Sequence, residues 1–163
     1  AARIGITALY KNVPKDFSVV AKTLYNYINP KTGEKAGMIS DEVYQIIEKY
    51  SNELDAMIVH DRDFNFDYFG FKTLERAYLL KIDGKAAETP QHLYMRVAVG
   101  IWGDNLEMVQ KTYDMLSEGD TRWDQDMSTR SWLDPGYHQL SKLPLTIYWF
   151  RRILHVRSRC NCR

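Results

Sequence analysis

The side chains able to bind a metal or act as nucleophiles are few, and their spacing limits what they can do. Cys160-Asn161-Cys162 places two thiols one residue apart, with His138 and His155 upstream. A structural zinc site needs a wider spacing within each ligand pair and a second pair to complete the tetrahedron. Neighbouring arginines lower thiol pKa values, but nothing positions a partner for a reactive dithiol. Arg151, Arg152, Arg157, Arg159 and Arg163 crowd the same end beside Tyr148, Trp149 and Phe150. Such a segment can hold phosphates and stack bases. It is a single short run without an RNA- or DNA-binding motif, so nucleic acid is not an expected partner. His60 stands next to Asp61 and near Asp63, the residue types of a general-base pair. Sequence neighbours point in different directions in any regular element, which weakens that pairing. Gly33 and Gly37 lie in a Lys/Glu loop that lacks the phosphate-loop pattern. No catalytic, cofactor-binding or metal-ligating residue is assigned.

What must position these groups is led by the stretch from His60 to Leu80. It packs Phe64, Phe66, Tyr68, Phe69, Phe71 and Tyr78 among Asp61, Arg62, Asp63 and Asp67. Aromatic side chains bury large apolar areas, so the segment is expected to form the packing hub. Charges follow them inside only when paired, and Arg62 between two acids predicts a local ion-pair knot at the core's edge.

A chain of 163 residues with 45% hydrophobic and 26% charged residues is long enough for one domain with a real core. No apolar run reaches the length that spans a bilayer, and no secretory leader is evident, so a cytoplasmic location is expected. The chain opens Ala-Ala-Arg-Ile instead of with Met, already in an amphipathic pattern, and is expected to be a fragment. Charge divides it. Residues 1–118 hold 14 Lys+Arg against 17 Asp+Glu, and residues 119–163 hold 8 against 4. The cations switch from mostly Lys to mostly Arg, and Glu disappears. Two compositions therefore meet near Gly119, and the Arg-rich tail of residues 119–163 is expected to be poorly ordered.

Helical spacing appears repeatedly before that boundary. Ala1 to Tyr10 reads as a helix with Ile4, Ala8 and Leu9 on one side, weakened by Gly5. Phe17 to Ile28 carries Val20, Leu24, Tyr27 and Ile28 inward, ended by Asn29-Pro30-Lys31-Thr32-Gly33. Ser40 caps a helix with Asp41 and Glu42 in its first turn and Val43, Ile46, Ile47 and Tyr50 buried. A short helix covers about Asn52 to Ile58. Gly70 breaks the aromatic segment, and Thr73 to Leu80 is helical with Leu74, Ala77 and Tyr78 inward. Asp83-Gly84 predicts a hairpin between about Leu80 and Glu88. Thr89-Pro90 starts another helix, and two helices, His92–Ile101 and Leu106–Ser117, flank Gly103-Asp104. In the tail, Trp132 to Tyr137 reads as a turn, and Leu143 to Val156 as either a strand or a short amphipathic helix.

The run DRDFNFDYFGFKTLERAYLLKIDGKAAETPQHLYMRVAVGI closely resembles the N-terminal helical part of the eukaryotic-type class I ribonucleotide reductase large subunit. LYNYINPKTGEKAGMIS and the opening AARIGITALYK fit the same family in the same order, so the resemblance runs unbroken from Ala1 to about Glu118. It implies reduction of ribonucleoside diphosphates to deoxyribonucleotides by thiyl-radical chemistry in an α/β barrel. It also implies ATP or dATP and dNTP effectors, and thioredoxin or glutaredoxin as reductant. The implied partners are a radical-bearing small subunit and a second large subunit. The barrel and its redox cysteines do not map onto this chain, and Cys160 and Cys162 lack the family's context. No site residue is therefore carried over. GDTRWDQDMSTRSW, after Glu118, does not match the family's substrate-binding segment. An intron, a shifted reading frame or a mistaken gene model would account for such a tail, and a genuine lineage-specific extension is the alternative.

The expected fold is mainly α, a helical N-terminal subdomain over residues 1–118 with one small β-hairpin at about 80–88 and without the family's barrel. The expected role is scaffolding within the reductase, with the isolated chain inactive because radical chemistry needs cysteines it lacks. A truncated interaction module that binds the full-length subunit is the alternative.

Overall fold

The computed structural model describes residues 2–118. The tail features expected from the sequence, including the Trp132–Tyr137 turn, the Leu143–Val156 segment and the Cys160/Cys162 pair, lie outside the described residues. Seven α-helices, one 3-10 helix and one two-stranded sheet make up the described part: α1 (Ala2–Asn12), α2 (Phe17–Tyr25), α3 (Asp41–Lys49), α4 (Ser51–Met57), the 3-10 helix (His60–Asn65), α5 (Tyr68–Ala77), β1 (Lys81–Ile82), β2 (Lys85–Ala86), α6 (Pro90–Trp102) and α7 (Leu106–Glu118). The mainly helical class with one small hairpin is as the sequence predicts.

Local chemistry explains most boundaries. Ser40 caps α3 through its hydroxyl, which accepts from the Val43 N–H, and Asp41 and Glu42 occupy the dipole-favoured first turn. Asp83 and Gly84 have φ of 52° and 78°, the left-handed pair that a two-residue hairpin requires. That turn sets the register Lys81 opposite Ala86 and Ile82 opposite Lys85. Thr89 and His92 form a reciprocal capping box ahead of Pro90 at the start of α6.

The core is centred elsewhere than expected. Pro90 through Met95 are all buried, and Ala98, Val99 and Ile101 continue the buried surface, so α6 is enclosed nearly all round its first half. Of the aromatic segment, Phe71 is fully buried, whereas Phe69 is 77% and Tyr68 53% exposed. The expected hub is therefore a correction: a helix turns only one face inward, and dense aromatics on successive residues cannot all share it. In α1 the buried residues are Ile6 and Leu9, while Ile4 and Ala8 are exposed. Gly5, read as a weakness, is where α1 meets α5: a Cβ there would lie 3.0 Å from Cε1 of Phe71.

Two further boundaries differ from the sequence reading. Helix α5 begins at Tyr68, before Gly70, because the Asp67 carboxylate caps it by accepting from the Gly70 N–H at 2.6 Å. Helix α2 ends at Tyr25, short of Ile28. Tyr27 and Ile28 instead pair in extended form with the far side of the loop, where the Ala36 N–H donates to the Tyr27 carbonyl at 2.9 Å and Ile28 bridges Lys35. Tyr25 anchors this loop, its ring stacked 4.0 Å from Tyr44 and covered by the Lys35 ammonium at 3.7 Å.

Two glycines in this fold make opposite predictions. A Cβ at Gly37 would lie 2.6 Å from the Tyr25 carbonyl oxygen, so Gly37→Ala must displace backbone and is expected to cost about 1–3 kcal/mol. Gly100 sits inside α6 with nothing near the added methyl, so Gly100→Ala is expected to stabilise by about 0.5–1 kcal/mol. Urea denaturation midpoints should move in opposite directions; movement in the same direction contradicts the packing described.

Candidate functional site

The most chemically distinctive feature of the described residues is a buried polar network at the junction of α1, the 3-10 helix, α6 and α7. Its centre is Asp63, which has no solvent exposure. In the last turn of α1, Tyr10 is aimed at this carboxylate, and its hydroxyl donates to Asp63 Oδ2 at 2.6 Å. From the first turn of α6, Gln91 Nε2 donates to Asp63 Oδ1 at 2.7 Å. The Gln91 carbonyl oxygen in turn accepts from the Tyr113 hydroxyl of α7 at 2.6 Å, and that hydroxyl accepts from the Val59 N–H at 2.9 Å. Among the described residues every buried side-chain nitrogen and oxygen has a hydrogen-bond partner.

Two histidines flank the network. His60 Nδ1 lies 3.2 Å from the Tyr10 hydroxyl. While that hydroxyl donates to the Asp63 carboxylate, the Nδ1–H form of the imidazole complements it, and the Thr89 side chain also bonds the hydroxyl. His92 is fully buried, with Nδ1 accepting from the Thr89 N–H and Nε2 donating to the Lys15 carbonyl at 2.9 Å. Two backbone groups thus hold it in the neutral Nε2–H form. The rings of His60 and His92 meet edge to face, 5.6 Å apart.

Burial governs the titration of these groups. It pushes the Asp63 carboxyl up to about 6, with the Tyr10 and Gln91 hydrogen bonds pulling the other way. It pushes His92 down to about 4 and His60 down as well, and raises the Tyr10 hydroxyl far above its ordinary range. Tyr10 is therefore a neutral hydrogen-bonding group at every accessible pH.

Beside this network, Arg62 leaves the expected arrangement. It does not knot with Asp61 and Asp63. Its Nη1 reaches Asp114 Oδ1 at 2.7 Å and Ser117 Oγ at 2.6 Å on α7, and its guanidinium lies 5.6 Å from the Tyr113 ring centroid. The fully buried Glu88 accepts from Arg96 Nε and Nη2 at 3.0 and 2.9 Å and from the Leu80 N–H at 2.9 Å. That bidentate pair ties the hairpin to α6.

The drawn His60–Asp63 pair does come together, but only through Tyr10, which stands between them. Tyr10, Gln91 and Tyr113 had no part in the sequence reading. Gln91 alone left a signal, a polar residue in the first turn of a helix whose remainder is mostly apolar. Among the described residues, no group of three or more His, Cys, Asp or Glu could hold a metal ion. As it stands, the network fastens four elements and presents no activated nucleophile.

Two outcomes test the network. Tyr113→Phe strips a donor from Gln91 and an acceptor from the Val59 N–H; it is expected to lower stability by about 1–3 kcal/mol, and an unchanged urea midpoint contradicts the bonds described. The second is a pH profile. The raised Asp63 pKa makes stability fall as pH rises from about 4 to about 6, because the folded state holds the proton that the unfolded state has lost. The lowered His92 pKa makes stability rise with pH from about 4 to its unfolded value of 6.5, because the unfolded state holds the extra proton. The two oppose each other, so Asp63→Asn should show a steeper rise with pH across this window than the parent chain. Parallel profiles by chemical denaturation contradict the assignment.

Comparison with known proteins places this geometry. Residues 64–121 match the family described as "Ribonucleotide reductase, all-alpha domain". The ribonucleoside-diphosphate reductase large chain of Neurospora crassa is 56% identical over 117 residues, covering 72% of this chain and 13% of that protein. The large chain of Schizosaccharomyces pombe is 54% identical over 118 residues, covering 72% and 14%. The large subunit of Arabidopsis thaliana is 48% identical over 123 residues, covering 76% and 15%. The chain thus spans about one-seventh of the length of the curated relatives it matches. The chain belongs to the ribonucleotide reductase large-subunit family, and its described residues are the helical N-terminal region of that subunit.

Proposed function

We propose that residues 1–118 are a structural scaffold of a ribonucleoside-diphosphate reductase large subunit and carry no part of the reduction chemistry themselves. The observation that carries this reading is the similarity of relatives named as that subunit's large chain, 54–56% identical across 117 or 118 residues. The buried polar chemistry of residues 2–118 is consistent with a supporting role. The buried acids, Asp63 and Glu88, are spent on hydrogen bonds that join helices, and a fully satisfied network rigidifies what it connects.

On this reading, reduction of the ribose takes place on parts of the subunit outside residues 1–118. Nucleotide effectors, the radical-bearing small subunit and the dithiol reductant act there too, and the enzyme works in the cytoplasm. Among the described residues no helix is long and apolar enough to cross a membrane. The isolated chain does not turn over.

A chimera tests the proposal. Residues 1–118 replace the matching region of Saccharomyces cerevisiae large chain 2, to which the chain is 55% identical. The chimera is assayed with the small subunit and a dithiol reductant, alongside the isolated chain. Deoxyribonucleotide formation by the chimera and none by the chain alone is the expected result. Reduction by the isolated chain, or a folded chimera without activity, overturns it.

A further inference from the structure

We propose that Tyr10 is a proton relay between His60 and the buried carboxyl of Asp63, so that the three residues take up one proton as a unit. The geometry is a continuous chain. His60 Nδ1 lies 3.2 Å from the Tyr10 oxygen, and that oxygen lies 2.6 Å from Asp63 Oδ2. The imidazole is the part-exposed end of the chain and the carboxyl the fully buried one. Water delivers a proton to the first far more readily than to the second.

The transfer balances without any co-reactant beyond a proton from water. Before uptake, Nδ1–H of His60 donates to the Tyr10 oxygen, and the Tyr10 O–H donates to the Asp63 carboxylate. A proton binds His60 at Nε2. The Nδ1 proton then moves to the Tyr10 oxygen as the Tyr10 proton moves to Asp63 Oδ2. An N–H and an O–H bond break, and two O–H bonds form. His60 ends neutral, now carrying its proton on Nε2 and accepting from Tyr10 at Nδ1. Asp63 ends as a neutral acid donating to the Tyr10 oxygen. The hydrogen bonds reverse direction while the heavy atoms stay in place.

The surroundings favour this outcome over a lasting imidazolium. From the 3-10 helix, Arg62 is directed to Asp114 of α7, and Asp61 is exposed. At the start of α6 the carboxylate receives the neutral side-chain amide and the backbone N–H of Gln91, the Thr89 side chain bonds the Tyr10 hydroxyl, and His92 stands edge-on to His60. From α7 the nearest titratable group is Tyr113, bonded to Gln91. The Lys15 ammonium of the α1–α2 loop disfavours charge on His60, the Lys15 backbone hydrogen bond and then Asp16 and Asp61 oppose it more weakly, and Asp55 of α4 acts on His92. Burial disfavours both an ionised Asp63 and a charged His60, so the neutral pair is the better resting place for the added proton.

The test is an NMR titration of the full chain carrying carbon-13 at the aspartate carboxyls and nitrogen-15 in the histidine rings. The expected result is one shared transition near pH 6, where the Asp63 carboxyl shift reports protonation. At the same pH the His60 nitrogens should exchange tautomers without the imidazolium signature. In Tyr10→Phe the two events should separate, with His60 no longer responding at the Asp63 midpoint and that midpoint rising by about one pH unit for the lost hydrogen bond. The proposal is overturned if the parent His60 nitrogens are unmoved at the Asp63 midpoint, or if His60 simply becomes imidazolium there. It is also overturned if Tyr10→Phe leaves the two transitions coincident. Should that variant fail to fold, the parent titration decides alone.

Discussion

A carboxylate without solvent contact sets the terms for this helical domain. Removing an ion from water costs several kcal/mol unless hydrogen bonds replace its hydration. Asp63 obtains such bonds from Tyr10 of α1 and from Gln91 of α6. Gln91 extends the obligation to Tyr113 of α7, and Tyr113 to the backbone at Val59. Four elements must therefore take up specific positions together, because any one of them out of place strands a buried polar group. Apolar packing alone would tolerate sliding between helices; this network does not.

Helix α6 carries that burden because of where its polar residues fall. The first turn of any helix has free N–H groups that need partners, so polar side chains there are less costly than in mid-helix. Thr89 and His92 satisfy those donors through the capping box, and His92 then uses its far nitrogen to hold the Lys15 carbonyl. Gln91, between them, serves the Asp63 network. Glu88, just before the cap, takes Arg96 from two turns along the same helix and the Leu80 N–H from the hairpin. A single helix start thus binds the α1–α2 loop, the 3-10 helix and the hairpin, and its apolar remainder forms the core behind them.

This economy fits a supporting part of a larger enzyme. The buried ionisable groups are committed to one another. Large apolar side chains stand outside the core, among them Ile4, Tyr68 and Phe69, as in a domain with surface beyond what its own packing needs. The relatives that match this chain are about seven times as long as the stretch they share with it.

What was legible in the sequence is what depends on near neighbours. Ser40 before Asp41 and Glu42, Thr89 before Pro90, and Asp83-Gly84 each act over a few residues, so their caps and turn could be read directly. The helical class followed from the same local spacing, and the family from an unbroken run of recognisable residues. Tertiary structure alone decided which helical face turns inward. Phe69 and Phe71 are two residues apart and of one type, yet one is 77% exposed and the other fully buried. It also decided every partner in the network: Asp63 finds Gln91 twenty-eight residues on and Tyr10 fifty-three back, and Arg62 passes over its neighbouring acids for Asp114. The reason is geometric. Adjacent side chains diverge along a helix, so a buried charge is answered by whatever distant element packing brings within about 3 Å, and composition alone cannot say which.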